Sequence, residues 1–502
     1  MQRPAAKPRK PIGPLTFKTP PRSTQRTEFF KYRSVAARAL LWSMRSGKSK
    51  AVIDTFAFNY HVGRITAVVI LAPNIAHQNW ILEEIPRHMP DQVPWEGMIW
   101  NANRARTKQK AYMAQFERVC RGRDKLMILS VNSESLASKV CRAFLKTFLK
   151  YHKGKVFLVA DESHQYGAPG SARTGATKAI RNASNFRRIL SGTAIDESPM
   201  QAYSQFEILE EGALGFDTSE TFKNHFGIWE TKTTKNNRKY QKFLGPKNEE
   251  ELKTAIAKYA SVVTREDAGL LKPIDTQRRF EMTDNQIKVW RALKKEPVMG
   301  GRALDGGTLM LKFQQISSGF LVDENKVLHE LVKPKDNPRF LLTIHEAMNS
   351  DSKFIIWCRF KYDIVKMTEM LEELLVEEGF GRRMLQMYGG VSQKIKFQNL
   401  RDLRDDPEVA GIIGQPQSGG AGVDMSVAGT LIWSSHTPSL IQRNQASDRA
   451  TALGKKAVDL IDIIANNAND DYILNLLGNK EDVSERISRT GLQELLREIG
   501  DG

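Results

Sequence analysis

The chain has 502 residues, 41% hydrophobic and 26% charged, with a formal charge of +18 at neutral pH. That length exceeds one core and predicts two or three domains, and no apolar run approaches the roughly 18 residues of a membrane-spanning helix. Cys120, Cys141 and Cys358 stand too far apart for a disulfide framework or a metal-ligand pattern, which fits a reducing cytoplasm.

A basic surplus of this size suits a polyanionic partner, nucleic acid first, because each neutralised phosphate releases condensed counterions; keeping the protein soluble is the other use for it. The first 33 residues hold nine Lys or Arg against one acid. Residues 1–15 read as a basic, disordered tail, too rich in proline for an amphipathic transit helix.

From 16 to 204, short apolar runs alternate with turn residues and amphipathic stretches, as in TAVVILAP followed by AHQNWILEEIPRH. That rhythm predicts a parallel α/β domain. Its first run, ALLWSM, leads into RSGKSKAVIDTF, so Arg45, Ser46, Gly47, Lys48 and Ser49 fall where a strand becomes a helix. A turn there aims backbone N–H groups and the positive helix end at a phosphate; Lys48 reaches the β and γ phosphates and Ser49 holds magnesium. The full pattern wants glycine at position 42, where this chain has Trp42, and Gly-Lys-Ser also opens helices that bind nothing.

KVFLVADESH is an apolar strand delivering Asp161, Glu162 and His164 to its carboxyl end, where open α/β sheets place ligands. Asp161 is expected to hold magnesium through water, and Glu162 to orient and deprotonate the attacking water. RRILSGTAI puts Ser191, Gly192 and Thr193 at the end of the next strand, where hydroxyls sense the γ-phosphate through His164 or water.

Residues 205–332 lack buried-strand runs and read as a helical insertion and linker, with the basic ETKTTKNNRKYQK as an exposed loop. A second α/β set occupies 333–480 and a short helix of mixed charge 481–502. The fold class expected is therefore α/β, two parallel-sheet lobes with a helical insertion between them.

These elements, in this order, resemble helicase superfamily two, specifically its Swi/Snf-like branch in the short form often carried by bacteriophages. The resemblance implies RecA-like lobes, ATP and Mg2+ as cofactors, and hydrolysis coupled to movement along DNA. It assigns adenine recognition to Gln25, with Phe17 stacking; Gln25 also suits an ordinary surface position. LAPNIAHQNW resembles the first strand-gripping motif, with Pro73 and Asn74 at a DNA-facing turn and Trp80 as core packing; VNSESL, with Asn132, resembles the next. Such turns contact phosphates without reading bases.

In the second lobe KFIIWCRF, with Arg359, resembles the fourth motif. QSGGAGVDMSVAGTLIW resembles the fifth, carrying Gly419, Gly420, Gly422 and Asp424. SLIQRNQASDRATALGKK resembles the sixth: Gln445 and Arg449 match, but the second arginine is replaced by Ala452. Either Arg449 then acts alone on the γ-phosphate, Lys455 or Arg443 substitutes, or hydrolysis is slow. VVTREDAGLLKP, FEMTDNQIKVWRAL and LKFQQISSGFL resemble the linker and helices that separate this branch from RNA helicases.

The resemblance implies a monomer acting on duplex or branched DNA rather than single strands, with replication or recombination proteins as partners and no membrane. Its location would be the cytoplasm, that of a host bacterium if the gene is a phage's. Two alternatives stand beside the translocase: a nucleotide-gated DNA-binding protein with weak or lost catalysis, and an RNA-directed member of the superfamily.

Overall fold

A computed structural model of the chain describes residues 13–74, 76–166, 172–192, 199–233, 239–377, 383–419, 424–452, 454–466, 469–478 and 492–499. It divides into two compact units, Met1–Gly269 and Leu270–Gly502.

The first unit is built on β1 (Ala37–Trp42), β2 (Ala67–Ala72), β3 (Trp95–Ile99), β4 (Leu126–Asn132), β5 (Val156–Ala160) and β6 (Phe186–Ser191). Strands β7 (Gly227–Thr233) and β8 (Lys239–Pro246) form a separate antiparallel hairpin, and β9 (Ala260–Val263) returns to the main sheet. Its order is β3-β4-β2-β5-β6-β1-β9, every pair parallel. Parallel strands need both faces covered, which explains runs apolar at every position. Side chains alternate between two cores: Ala67, Val69 and Leu71 pack on one face. Val68, Ile70 and Ala72 pack on the other.

The second unit holds β10 (Ile274–Phe280), two short hairpins, β11 (Val298–Met299) with β12 (Arg302–Ala303) and β13 (Phe320–Val322) with β14 (Leu328–Glu330), then β15 (Phe354–Trp357), β16 (Arg383–Met387), β17 (Val409–Gly414), β18 (Thr430–Trp433) and β19 (Asp459–Ala465). Its main sheet runs β10-β19-β18-β15-β17-β16, again all parallel. One core packs Ile356, Ile413, Ile432 and Ile463 against Trp290, Phe313 and Leu371 from the helices. The expected α/β class with two parallel sheets is what the chain forms.

The stretch 205–332 is shared between the units rather than standing apart. It contributes the helices Ser219–Phe226, Glu249–Ala257, Asp284–Lys295 and Gly306–Ser317, but also edge strands β9 and β10, one to each sheet. Of the basic segment expected as a loop, 230–233 and 239–242 are strands of the β7–β8 hairpin, with Trp229 opposite Phe243 and Thr231 opposite Gln241, and 234–238 lie outside the described residues. Cross-strand pairs of this kind hold a ribbon that has no apolar run to announce it. No described helix is long and apolar enough to cross a membrane.

Candidate active site

β1 ends at Trp42 and the helix Lys48–His61 begins six residues later. The intervening turn needs left-handed backbone at Arg45 (φ +64°) and Gly47 (φ +89°), not at position 42. That is why Trp42 is tolerated: it belongs to the strand, is buried, and donates its indole N–H to Ser261 Oγ of β9 at 2.8 Å. Its carbonyl remains inside the turn and accepts from Lys48 Nζ at 2.7 Å, with Ser43 O a second acceptor at 3.3 Å. Ser46 closes the turn through Oγ to Ser43 O.

Gln25 lies against this turn. Its Nε2 donates to Gly47 O at 3.0 Å and its Oε1 accepts from Arg22 N at 2.8 Å. A Cβ on Gly47 would come within 2.1 Å of Gln25 Nε2, so the end of that side chain would have to shift, and the left-handed φ favours glycine here. Phe17 packs edge-on against Phe29 and lies 5.2 Å from Lys50 Nζ.

β5 delivers Asp161 and Glu162 next to β6. Asp161 Oδ1 accepts from the Glu162 N–H at 3.0 Å, and Oδ2 from Trp80 Nε1 at 2.9 Å. Burial, with Glu162 beside it, pushes the Asp161 carboxyl up to about 6; the Trp80 hydrogen bond and the Lys48 charge oppose that rise. Glu162 holds a left-handed φ of +47° and is buried. Its Oε2 is 3.4 Å from His164 Nδ1, which is also 3.4 Å from Ser191 Oγ of β6. Gly192 follows, and a Cβ there would meet Met44 Cγ at 2.8 Å and Lys48 Nζ at 3.7 Å. The ends of β1, β5 and β6 thus bring Lys48, Asp161, Glu162, His164 and Ser191 into one neighbourhood. Thr193 lies outside the described residues.

Trp80, expected as core packing, is in the core and also serves Asp161. For Glu84, not singled out in the sequence, burial raises the carboxyl, the charges of Arg45 and Arg87 oppose that rise, and Asp161 adds to it.

The donor set fits magnesium. A hydroxyl at Ser49 and a buried carboxylate at Asp161 are hard oxygen ligands, and Mg2+ on a nucleotide takes only one or two protein groups beside phosphates and water. A cation would also offset the burial and the neighbouring Glu162 charge that raise Asp161.

Pro73 and Asn74 follow β2, and Asn132 ends β4; Ala72 pairs with Asn132, so these turns are neighbours on the same sheet edge. Asn74 is exposed, and Asn132 donates to Glu134 Oε2 at 3.2 Å.

In the second unit Arg359 follows β15. Its N–H donates to Ser435 Oγ, its carbonyl accepts from Gln415 Nε2, and burial brings its guanidinium down to about 10. Gly419 ends a short helical turn from Pro416, and Asp424 Oδ1 accepts from Ser426 N. Gly420 and Gly422 lie outside the described residues. Gln445 sits half-buried on the helix Leu440–Asp448. Arg449 is buried, donates to Pro416 O at 2.9 Å and stacks 5.4 Å from the Trp357 ring. Of the expected substitutes for the missing arginine, Arg443 is held in two bonds to Asp462 (2.8 and 2.7 Å), and Lys455 donates to Ser426 O at 2.7 Å.

No family model matches the chain. It is 25% identical over 356 residues to an uncharacterized ATP-dependent helicase of Mycoplasma genitalium, a match taking in 68% of this chain and 32% of that protein. It is 24% identical over 381 residues to the TATA-binding protein-associated factor mot1 of Aspergillus fumigatus, covering 66% of this chain and 20% of the relative. The chain thus spans about a third or less of the length of these curated relatives. Among solved structures, the DUF1998 helicase MrfA bound to DNA and AMPPNP shares the fold at a TM-score of 0.52 and 12% identity, over 93% of this chain and 50% of that one. The sequence is similar to ATP-dependent helicases, and the fold is one that such a helicase uses.

Proposed function

We propose that this chain is a DNA-dependent ATPase of the Swi/Snf-like branch of helicase superfamily two, a monomer of the cytoplasm that hydrolyses ATP to move along or remodel duplex or branched DNA. The observation that carries the reading is the convergence of Lys48, Asp161, Glu162 and His164 at the ends of β1 and β5, with Ser191 of β6 within reach of His164. The helicase relatives support it.

In this reading the turn Arg45–Ser49 cradles phosphate with backbone N–H groups, and Lys48 exchanges the carbonyls of Trp42 and Ser43 for phosphate oxygens. Gln25, already at the turn, reads the base. Ser49 and Asp161 would hold magnesium, which when bound neutralises phosphate charge. Glu162 takes the proton of the attacking water, and His164 carries the change to Ser191. To Gln445, Arg449, Gly422 and Asp424 of the second unit it gives the nucleotide-directed roles that the family resemblance implies. Pro73, Asn74, Asn132, Arg359, Gly419 and Gly420 contact DNA phosphates, as a sequence-tolerant motor requires.

Phosphate release measured with duplex DNA, single-stranded DNA and RNA tests the reading. Duplex or branched DNA should stimulate it most. Lys48→Ala should weaken ATP binding or abolish turnover, and Glu162→Gln should bind ATP without turnover; wild-type rates in both variants refute these roles.

A nucleotide-gated DNA-binding protein with weak catalysis is the second reading, favoured by Ala452 and by the engagement of Arg443 and Lys455 within their own unit. It predicts ATP-dependent DNA binding without DNA-stimulated phosphate release.

A further inference from the structure

The parallel strands of the first unit have a second edge, opposite the carboxyl ends where Lys48 and Asp161 gather. β2 runs into Pro73 and β4 ends at Asn132; the amino ends of these strands lie about 20 Å away, the length of a six-residue strand. β4, β2 and β5 are side by side, so the connections that enter them, 122–125, 62–66 and 152–155, are neighbours on that far edge. Five of those thirteen residues are Lys or Arg (Arg64, Arg123, Lys125, Lys153 and Lys155), against 75 of 502 in the whole chain, and Asp124 is their one acid. All five are exposed.

The connections are also fixed to one another. The Thr66 N–H donates to Lys155 O at 2.9 Å and the Met127 N–H to Thr66 O at 3.1 Å. Thr66 Oγ1 lies 3.0 Å from His152 Nδ1, the Tyr60 hydroxyl donates to Asp124 O at 3.0 Å, and Arg123 donates to Tyr151 O at 2.6 Å. Lys125, Lys153 and Lys155 make no salt bridge or side-chain hydrogen bond among the described residues, so a rigid base presents their ammonium groups to solvent.

Helix C-termini favour cations, and each connection follows a helix: Lys48–His61, Lys110–Arg121 and Lys139–Tyr151. That preference does not account for the pattern. In the second unit 349–353 and 406–408 likewise join a helix to β15 and to β17, yet they carry Asp351, Asp406 and Glu408 against Lys353. A surplus serving solubility alone would not gather on one sheet edge of one unit.

The chemistry of the edge selects its occupant. The thirteen residues include no Phe, Tyr or Trp to stack an unpaired base, and Val62 is their one exposed large apolar side chain, which gives a protein partner no aromatic anchor. Exposed positive charge on a fixed frame suits the phosphates of a duplex.

We propose that the amino-end edge of β4, β2 and β5 is a second DNA-binding surface, which grips duplex phosphates away from the ATP site and from the turns at Pro73, Asn74 and Asn132. The inference rests on duplex DNA being the partner proposed above; it does not require hydrolysis.

The test is fluorescence anisotropy of a labelled DNA duplex titrated with the full chain at several salt concentrations. Lys125→Gln, Lys153→Gln and Lys155→Gln, combined in one protein, change exposed side chains only, and thermal unfolding checks that the fold is kept. A control protein combines Lys288→Gln, Lys326→Gln and Lys335→Gln, exposed positions of the second unit, and loses the same charge elsewhere. The first triple variant should weaken duplex binding by about tenfold or more at about 100 mM salt and flatten the slope of log affinity against log salt by about 2 to 3, while the control stays within about threefold of wild type. Phosphate release should then need more duplex for half-activation but reach within about twofold of the wild-type rate at saturation. Equal losses in both triple variants, or none in the first, overturn the proposal. A first triple variant that binds duplex normally but no longer binds poly-glutamate also overturns it and assigns the edge to an acidic protein. If wild type binds duplex without DNA-stimulated release, the ATPase reading fails and the triple variants still decide this one; if wild type binds no duplex, the proposal falls with the DNA reading.

Discussion

Lys48 donates its ammonium to the main-chain carbonyl of Trp42 at 2.7 Å. The residue that breaks the expected phosphate-loop pattern therefore contributes to the loop through its backbone, while its indole secures β1 to β9. A strand-end tryptophan and a working phosphate turn are compatible because the left-handed positions fall at Arg45 and Gly47. Predictions for the turn accordingly concern Gly47, not Trp42.

Gly47→Ala forces a Cβ into a left-handed position, at about 1–2 kcal/mol, and into Gln25 Nε2. Gln25→Ala in the same chain removes the clash but not the backbone cost. Thermal unfolding of the four proteins in this cycle should show the double variant less destabilised than the sum of the singles by about 0.5 kcal/mol or more. Strict additivity would mean that Gln25 does not abut the turn.

Ala452 stands where the sixth motif wants a second arginine. Ala452→Arg is expected to raise DNA-stimulated phosphate release by about tenfold or more, well within what such arginines supply elsewhere. An unchanged rate in a folded variant would show that Arg449 already suffices or that chemistry does not limit turnover.

Stability should depend on pH through Asp363, buried in the second unit near Arg339 and Ser435. Burial pushes its carboxyl up to about 7, against opposing contributions from Arg339, Ser318 and Ser435. Between the ordinary carboxylate value near 4 and that value, the folded chain binds a proton the unfolded chain has lost, so this group's contribution falls as pH rises through the window. Asp363→Asn removes the dependence. Urea unfolding of both proteins should therefore show wild type losing ground to the variant between pH 5 and pH 8, by on the order of 2 kcal/mol. A difference independent of pH would mean that Asp363 is charged in the fold.

Much of this was legible in the chain because it is local. Apolar runs such as AVVILA and VFLVA are strands buried on both faces, and the residues just after them, Lys48 and Asp161 among them, stand at strand ends by simple adjacency. What escaped depends on long-range pairing. β3, with its glycine and half-buried side chains, has no apolar run; β9 and β10 are edge strands contributed from a stretch that reads as helical; and the β7–β8 hairpin is hidden in a basic segment whose alternation is mostly polar. The bond from Trp80 to Asp161 joins positions far apart in sequence. A tryptophan in an apolar helix reads as core, and only the fold shows which acceptor its N–H finds.

The central claim is that Lys48, Asp161 and Glu162 form a hydrolytic site that DNA activates. Its most direct test is the rate of phosphate release at saturating ATP and Mg2+, with and without duplex DNA, for wild type and Glu162→Gln. Severalfold stimulation by DNA in wild type, lost in Glu162→Gln while ATP still binds, is the predicted result. Equal rates with and without DNA, or an unaffected Glu162→Gln, would contradict it.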